Sequence, residues 1–307
     1  MTDLERSVAR SARWLRDEAL PLWGTRGFDA SCAAFEEQLD FAGDPVTGVP
    51  RRLMVQARQI ASFAAAALSG RYPEGRALAL AAGHALPKRY HAADGAPGWV
   101  FSVDRAGRVV DQRRDLYAHA FVLFALAWLL RLERDPAFER EAEATLAFID
   151  THLSDAVHGG YWDSLPRRAM ASGALRRQNP HMHLLEALLA LFETTRREDL
   201  LVRSRALRDL AVTRFLDGKT GALRECFDEA WRVVPAPGQG SVEPGHLFEW
   251  AWLLRRYEGM SGDDQSAPVA VMIGLAMTAG LDRDSGRIVD EIGEDGQVRR
   301  ASSRAWP

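Results

Sequence analysis

The sequence has little lysine and no excess of basic residues, which argues against a nucleic-acid-binding protein. Of its 39 basic residues only two are lysines, Lys88 and Lys219, and its formal net charge is −3. A protein that binds the phosphate backbone usually carries a basic patch, so we predict no nucleic-acid partner. The preference for arginine is typical of a bias in genomic composition, although any single arginine can still bind a polar ligand.

Cysteine and long apolar runs are also scarce. Cys32 and Cys226 lie far apart and match no metal-binding spacing, which is typical of a reduced protein, although a disulfide stays open. The N-terminus mixes charged and apolar residues and lacks the apolar core of a signal peptide. The longest apolar stretch, Leu116–Leu130, includes Tyr117 and His119 and is too short to span a membrane. We therefore predict a cytoplasmic protein that makes no membrane contact.

Apolar residues recur every three to four positions along most of the chain, which predicts a largely helical protein. The composition, with 47% hydrophobic and 26% charged residues, is typical of a globular fold. We predict nine helices, at 3–20, 50–69, 74–91, 115–132, 136–154, 179–196, 197–216, 243–258 and 264–281.

Short glycine-containing hairpins separate these helices at a regular interval. Gly98, Gly160, Gly221 and Gly286 are 62, 61 and 65 residues apart, and each period contains two helices. An internal repeat of helical pairs is typical of solenoids and of closed rings. Because no linker-like or charged block interrupts the repeat, we predict a single domain over residues 1–307.

The first motif with chemical potential is Asn-Pro-His-Met-His at residues 179–183. Proline is favoured in the first turn of a helix, so the motif predicts a helix start with Asn179 as its N-cap. Asn179 and His183 are four residues apart and share a helix face. Two interpretations stay open here, a cap with a hydrogen-bonded core histidine or two polar groups that face a ligand.

The second motif, Glu-Pro-Gly-His at residues 243–246, opens the eighth helix. His246 and Glu249 are three residues apart and share a face. An imidazole beside a carboxylate is suited to proton transfer at carbon. No third ligand has a suitable spacing, and the His-Glu-x-x-His pattern is absent, so we predict no metal.

Further candidates lie on the second and fourth helices. Arg58 lies on a helix that is otherwise expected in the core, where an arginine needs an ion pair or a ligand. Tyr117 follows Asp115 at the start of the fourth helix. All candidates therefore lie on the second, fourth, sixth and eighth helices, and in a ring of helical pairs alternate helices line one central cavity.

The motifs resemble the N-acylglucosamine 2-epimerase family, over essentially the whole chain. The resemblance rests on residues 51–58, 115–121, 179–187, 243–254 and 302–307. It implies an all-α (α/α)6 barrel of helical pairs with short β-hairpins. Because the family has twelve helices, it also implies a barrel truncated after about nine helices. The C-terminal helices and a second acid/base histidine would be missing, and an apolar seam would be exposed at the first and ninth helices.

The histidine motifs are most similar to the bacterial D-mannose isomerase branch. The resemblance therefore implies a sugar isomerase that interconverts D-mannose and D-fructose through an enediol, without a cofactor. His246 would be the general acid/base, Glu249 would orient it or assist ring opening, and His183 would help to open the ring. The residues implied to bind the monosaccharide substrate are Arg58, Tyr117, Asn179 and Trp306.

Three other functions stay open at this point. A sugar 2-epimerase for N-acylglucosamine or cellobiose-type substrates would use the same residues. A glycoside hydrolase would need a second carboxylate opposite Glu249, for which Asp115 is the best candidate. A sugar-binding homologue would keep the pocket without turnover. The preferred sugar is not encoded in these motifs, and a homo-oligomer stays open.

Overall fold

The computed structural model describes residues 2–170, 173, 175–236 and 238–304. Within these residues the protein is mostly helical, as predicted. The helices are α1 (Asp3–Trp14), α2 (Leu20–Thr25), α3 (Leu53–Leu68), α4 (Gly75–Tyr90), α5 (Leu116–Leu132), α6 (Pro136–Phe148), α7 (Gln178–Thr195), α8 (Glu198–Leu210), α9 (Pro244–Ser261) and α10 (Ser266–Leu275).

Short π-helical turns explain how these elements correspond to the nine predicted helices. The turn Leu15–Ala19 joins α1 and α2 into the first predicted helix. Similar turns extend three further helices at their C-terminal ends, namely α6 by Ile149–Leu153, α8 by Ala211–Phe215 and α10 by Ala276–Gly280. Each predicted helix therefore has its counterpart among the described residues, with ends that differ by only a few residues.

The strands are two or three residues long and pair in small antiparallel sheets. They are β1 (Phe28–Asp29), β2 (Ala34–Phe35), β3 (Arg51–Arg52), β4 (Ser102–Val103), β5 (Val109–Asp111), β6 (Arg114–Asp115), β7 (Ser164–Leu165), β8 (Arg176–Arg177), β9 (Cys226–Phe227), β10 (Ser241–Val242), β11 (Leu281–Asp282), β12 (Arg287–Ile288), β13 (Glu291–Gly293) and β14 (Val298–Arg300). The pairs include β3 with β4, β8 with β9 and β10 with β13.

The chain divides into two compact units, Met1–Phe148 and Ile149–Pro307. In the first unit α3 packs against both α4 and α5, and α5 packs against α6. In the second unit α7 packs against α8 and α9, and α9 packs against α10. Alternate helices are thus neighbours within each unit. We call α3, α5, α7 and α9 the core helices, because they contribute most of the buried helical residues. The single domain over residues 1–307 stays a prediction.

A buried arginine precedes three of the four core helices. The arginine is the last residue before the N-cap of the helix. It is Arg51 before α3, Arg114 before α5 and Arg176 before α7, and these residues are only 1%, 6% and 0% exposed. A buried charge is tolerated when it is paired and hydrogen-bonded. Each guanidinium pairs with a carboxylate of the preceding hairpin, Arg51 with Asp29, Arg114 with Asp94 and Arg176 with Asp155.

A buried side chain in the first turn of each of these helices also binds the hairpin backbone. His119 Nε2 accepts the amide N–H of Trp99 at 3.2 Å. His181 Nε2 accepts that of Tyr161 at 3.0 Å. In α3 the same position holds Gln56, whose amide pairs with the backbone of the β1–β2 hairpin. Burial lowers the pKa of His119 to about 4 and that of His181 to about 3, so both imidazoles are neutral.

Both cysteines are free thiols, so the alternative of a disulfide is wrong. Apolar residues of α1 are exposed, including Leu4, Val8 and Trp14, at 73%, 59% and 54% of their surface. These residues lie on the first helix, where the apolar seam was expected. In the part of the chain that the structure describes, we find no helix with the length and hydropathy needed to span a bilayer.

The hairpin glycines of the repeat adopt a left-handed backbone. Gly98, Gly160, Gly221 and Gly286 have φ values of +82°, +68°, +78° and +69°. At Gly160 a Cβ atom would lie 2.6 Å from the Trp231 ring, whereas the neighbouring Gly159, with φ of +74°, has open space around it. Glycine is the residue that adopts this conformation at least cost.

We expect Gly160→Ala to lower the free energy of unfolding by about 1–3 kcal/mol more than Gly159→Ala does. Both substitutions place a Cβ atom on a left-handed backbone, but only Gly160→Ala adds a collision with a buried ring. Urea unfolding of the two variants measures this difference. Equal losses of stability would contradict the tight packing of the hairpin at Gly160.

We also expect stability to fall on acidification because of His119 and His181. The unfolded chain binds protons at these histidines below about pH 6.5, while the folded protein does so only near their lowered pKa values. The free energy of unfolding therefore falls as the pH drops from about 6.5 toward those values. His181→Gln places in α7 the residue that α3 has at the same position, Gln56. We expect this variant to lose about 1–2 kcal/mol less of its free energy of unfolding than wild type does between about pH 7.5 and about pH 5.

Urea unfolding of wild type and His181→Gln at the two pH values tests this expectation. The comparison uses the change with pH rather than the absolute stability, because glutamine does not reproduce the ring packing of His181 against Phe215 and Trp231. The same loss in both proteins would show that His181 does not drive the acid sensitivity.

Candidate active site

The predicted catalytic residues of the second unit lie at the N-terminal ends of α7 and α9. Asn179 is the second residue of α7, and His183 follows one turn later. His246 is the third residue of α9, and Glu249 follows at the sixth position. Because α7 and α9 pack against each other, these four residues form one cluster.

The prediction that Asn179 caps its helix is wrong. Arg177 is the N-cap, and the helix begins at Gln178. The reason is the hairpin pairing, since β8 ends at Arg177 and the backbone N–H of Gln178 donates to the carbonyl of Glu225 at 3.1 Å. Pro180 is therefore the third helical residue, which still requires no intrahelical N–H bond. This shift releases the Asn179 side chain to contact His246.

His246 is buried, with 3% of its surface exposed, and both ring nitrogens have partners. Nδ1 lies 2.8 Å from Glu225 Oε1 and 2.9 Å from Gln178 Nε2, and Nε2 lies 2.7 Å from the Asn179 amide nitrogen. A carboxylate only accepts hydrogen bonds, so Nδ1 carries the proton that it donates to Glu225. Nε2 then holds a lone pair that accepts the Asn179 N–H. The geometry is that of a histidine base oriented by a carboxylate.

The surroundings of His246 raise its pKa above the ordinary value. Burial, the largest effect, lowers the pKa, but it is outweighed by the charge and the hydrogen bond of Glu225. The charges of Glu243 and Glu249 add to this increase. A buried imidazole that can take up a proton near neutral pH is suited to general acid/base chemistry.

His183 lies in a second group of carboxylates. Its Nδ1 is 3.0 Å from Glu186 Oε2 and 3.8 Å from Glu249 Oε1. The predicted role of Glu249 was to orient His246 or to assist ring opening. In the structure its carboxylate lies beside the His183 ring, and it acts on His246 through its charge. This position fits the ring-opening part of the prediction better than the orienting part.

Sequence reasoning missed the residue that does orient His246, which is Glu225. Counted from the hairpin glycine, Glu225 stands four residues after Gly221. The equivalent positions after the two preceding glycines are Ser102 and Ser164. The change from serine to a carboxylate, which Asp290 repeats after Gly286, was therefore the signal in the sequence.

In the first unit the structure brings Arg58 and Tyr117 together. Arg58 Nη1 donates to the Tyr117 hydroxyl at 2.9 Å, and the guanidinium lies 4.7 Å from the centre of the Phe121 ring. Arg58 therefore contacts a hydroxyl group and an aromatic ring instead of forming the salt bridge that was the alternative interpretation. The two partners come from neighbouring helices, since Arg58 lies on α3 and Tyr117 on α5.

The second and sixth residues of the core helices supply all candidate site residues on these helices except His246, which is the third residue of α9. These positions are one turn apart and share a helix face. They are Met54 and Arg58 in α3, Tyr117 and Phe121 in α5, Asn179 and His183 in α7, and Gly245 and Glu249 in α9. The repeat therefore presents one equivalent face of each core helix for recognition and chemistry.

Two other predicted residues have different outcomes. Asp115 is the N-cap of α5, and its carboxylate accepts the Ala118 N–H at 2.9 Å. This structural role weakens the glycoside hydrolase alternative, for which Asp115 was the best second carboxylate. Trp306 lies outside the described residues, so its part in the sugar site stays a prediction.

Two clusters contain a histidine and two carboxylates, His183 with Glu186 and Glu249, and His246 with Glu225 and Glu243. In the second cluster Nδ1 of His246 is committed to Glu225, and Glu243 is paired with Arg304 at 2.6 Å. In the first, Nδ1 of His183 is bonded to Glu186. The hydrogen bonds and ion pairs within the protein account for both groupings of histidine and carboxylates, and we assign no metal to either cluster. The absence of a metal stays a prediction.

The model of the N-acylglucosamine 2-epimerase family matches residues 34–307. The chain belongs to this family. It is 34% identical over 310 residues to a mannose-6-phosphate isomerase of Rhizobium meliloti (strain 1021), covering 99% of this chain and 78% of that one. It is 32% identical over 205 residues to a D-mannose isomerase of Thermobifida fusca, covering 61% of this chain and 49% of that one.

A solved structure is similar over nearly the whole chain. It is the cellobiose 2-epimerase of Spirochaeta thermophila, which superposes with a TM-score of 0.85 at 26% identity, covering 98% of this chain and 77% of that one. The predicted fold class, the helical barrel of this family, is confirmed by the match. The comparisons support an enzyme that isomerises or epimerises a small-molecule sugar. A homo-oligomer and the lack of a nucleic-acid partner stay predictions.

We expect Asn179→Asp to raise the pKa of His246 further, by about one unit. The new carboxylate would lie beside Nε2 and would favour the imidazolium, which could then donate from both nitrogens. An NMR titration of the His246 ring measures the change, and Asn179→Ala serves as the control without added charge. An unchanged or lower pKa in Asn179→Asp would contradict the contact between the two side chains.

Proposed function

We propose that the protein is an aldose–ketose isomerase that interconverts D-mannose and D-fructose. The observation that carries the proposal is the state of His246, a buried imidazole with Nδ1 bonded to a carboxylate and Nε2 available as a base. The names of the two relatives described above, a mannose-6-phosphate isomerase and a D-mannose isomerase, support this choice of reaction.

The proposed reaction transfers one proton between two neighbouring carbons. Nε2 of His246 removes the C2 proton of open-chain mannose, the electron pair forms the C1=C2 double bond, and O1 takes up a proton from a general acid, for which His183 is the candidate. The imidazolium then returns its proton to C1, and the O2 hydroxyl gives its proton back to that acid as O2 becomes the ketone oxygen. A single base is sufficient for this transfer, because C1 and C2 are adjacent.

The other candidate residues have roles around this transfer. The Asn179 amide occupies Nε2 in the resting protein, so the sugar must replace that hydrogen bond, and Asn179 can then bind a sugar hydroxyl. His183, with Glu186 and Glu249 beside it, is suited to open the sugar ring by moving a proton between O1 and the ring oxygen. Arg58 and Tyr117 stay proposed hydroxyl-binding residues on the strength of the family resemblance.

A sugar 2-epimerase is the second candidate. It is favoured by the structural match to a cellobiose 2-epimerase, which is similar over 98% of this chain. Epimerisation begins with the same proton removal at C2 but returns a proton to the opposite face of C2. It therefore needs a second proton donor on that face. Because both reactions use the same base, the product distinguishes the epimerase from the isomerase.

The test is proton NMR of the purified protein in heavy water with D-mannose, mannose 6-phosphate or cellobiose, without added metal or nucleotide. We expect D-mannose to give fructose, with deuterium at C1 in those turnovers in which the His246 imidazolium exchanges its proton with the solvent before it returns one to C1. Glucose as the product would establish the epimerase, and a preference for mannose 6-phosphate would change the substrate but not the reaction. Sugar binding without turnover would identify a sugar-binding homologue and would contradict the proposal.

We expect His246→Gln to lower kcat by about 10²–10⁴-fold, because the general base is lost. The matched control is His84→Gln, which replaces an exposed histidine of the first unit. The same NMR assay with D-mannose measures both variants. Wild-type turnover in His246→Gln would exclude His246 as the base.

A further inference from the structure

A chain of hydrogen-bonded polar side chains leads from His246 through the partly buried Glu225 into the core of the second unit. Glu225 binds His246 Nδ1 through Oε1, and its other oxygen, Oε2, accepts from Gln178 Nε2 at 2.9 Å. The carbonyl oxygen of Gln178 accepts the indole N–H of Trp250 at 2.6 Å. Both Gln178 and Trp250 are fully buried. None of the three is among the residues with proposed substrate contacts.

The direction of every hydrogen bond in this chain is fixed from its far end. The indole N–H of Trp250 only donates, so it selects the carbonyl oxygen of Gln178 and turns the amide NH2 toward Glu225. Glu225 is therefore an acceptor at both oxygens. The backbone bond from Gln178 N to the Glu225 carbonyl holds the hairpin and the helix start in register. A fully satisfied buried network of this kind is rigid.

We propose that Glu225, held by Gln178 and Trp250, is a positioning residue that keeps His246 in the tautomer with its proton on Nδ1 and its lone pair on Nε2. The amide nitrogen Nε2 of Gln178 also lies 2.9 Å from His246 Nδ1. The tautomer follows from the 2.8 Å contact of Nδ1 with the Glu225 carboxylate, because a carboxylate can only accept a proton there. The consequence for turnover rests on the proposed function. In the other neutral tautomer Nε2 would carry a proton and could not remove one from the sugar.

The charges around His246 come from three elements. Glu225 lies in the hairpin of β9, Glu243 is the N-cap of α9, and Glu249 lies one turn into α9. Glu243 is compensated by Arg304, whose Nη2 lies 2.6 Å away. Of these three carboxylates, Glu225 is the one that acts on the imidazole both through its charge and through a direct hydrogen bond. Burial lowers the pKa of His246, and the charge of Glu225 counteracts this effect. Removing that charge should therefore lower the pKa of His246.

Glu225→Gln tests the proposal because glutamine has one acceptor where Glu225 uses two. Its carbonyl oxygen can accept either from Gln178 or from His246, and its NH2 group then faces the other partner. Since Gln178 is held by Trp250, we expect the new amide to present NH2 to His246 Nδ1. The ring then accepts at Nδ1 and carries its proton on Nε2. The matched control is Glu229→Gln, which makes the same change at an exposed position of the same loop.

The first measurement is the nitrogen NMR spectrum of the His246 ring, which reports the tautomer whether or not the protein turns over a sugar. We expect the Nδ1–H form in wild type and in Glu229→Gln, and a shift to the Nε2–H form in Glu225→Gln. We expect the pKa of His246 to fall in Glu225→Gln. An Nδ1–H form and an unchanged pKa in Glu225→Gln would overturn the proposal, even if activity were lost.

The second measurement is the kinetics with the sugar that the wild type converts. We expect Glu225→Gln to lower kcat about 100-fold or more with little change in KM, because the base is in the wrong tautomer. The acidic limb of the pH profile should move to lower pH. A merely structural role would instead change KM and stability while leaving the acidic limb in place, and that result would overturn the proposal.

Trp250→Phe provides a variant that leaves Glu225 and His246 untouched. It keeps an aromatic ring in the core but removes the N–H that selects the orientation of Gln178. We expect a mixed tautomer and a smaller loss of kcat, about tenfold. If Glu225→Gln does not fold, Trp250→Phe is the deciding variant. A pure Nδ1–H form of His246 in that variant would overturn the proposal that Trp250 and Gln178 help Glu225 to set the tautomer. If wild type converts no sugar, only the proposed function fails, and the tautomer measurement still judges Glu225.

Discussion

The N-terminal ends of the core helices are buried, and every polar group there needs a partner other than water. A helix start leaves backbone N–H groups without intrahelical partners, and burial makes each unpaired group costly. The hairpins between helices provide partners for the buried polar side chains at these ends. Each provides carboxylates for a buried arginine and backbone N–H groups for a buried histidine or glutamine, as at Arg114 and His119 or at Arg176 and His181. The rest of each helical pair depends on this junction, because the core helix can bury its apolar faces only if its polar end is satisfied.

The start of α9 departs from this arrangement, and there the proposed base is found. At α5 and α7 an arginine precedes the N-cap and a histidine lies in the first turn. At α9 the same two positions hold Val242 and Leu247, which are both fully buried. With valine in place of the arginine, this junction has a different polar contact, in which Glu225 of the preceding hairpin binds His246. Pro244 and Gly245 precede His246 and add no polar side chain that would compete for it. The site is therefore a modified helix junction rather than an addition to the fold.

Periodicity was sufficient to predict the helices, the glycine hairpins and the faces that carry Arg58, Asn179 and His183. These features depend on residues close in sequence, within one helix or one turn. The N-cap of α7 was wrong because it depends on strand pairing with β9, where Gln178 meets Glu225 across 47 residues, a range that periodicity does not link. Glu225 was missed for the same reason, since its contact with His246 joins a hairpin to a helix across 21 residues.

The serine-to-glutamate difference between equivalent hairpins has a consequence for how such a protein can evolve. Ser102, Ser164 and Glu225 occupy one place in three copies of the same unit, and Asp290 occupies it after Gly286. The unit folds with serine or with a carboxylate there. Duplication of a helical pair thus supplies copies whose junctions are already stable. Divergence at one hairpin position of one copy then introduces a charge next to a helix start without disturbing the other copies. New chemistry in such a chain is acquired one copy at a time, while the remaining copies preserve the scaffold.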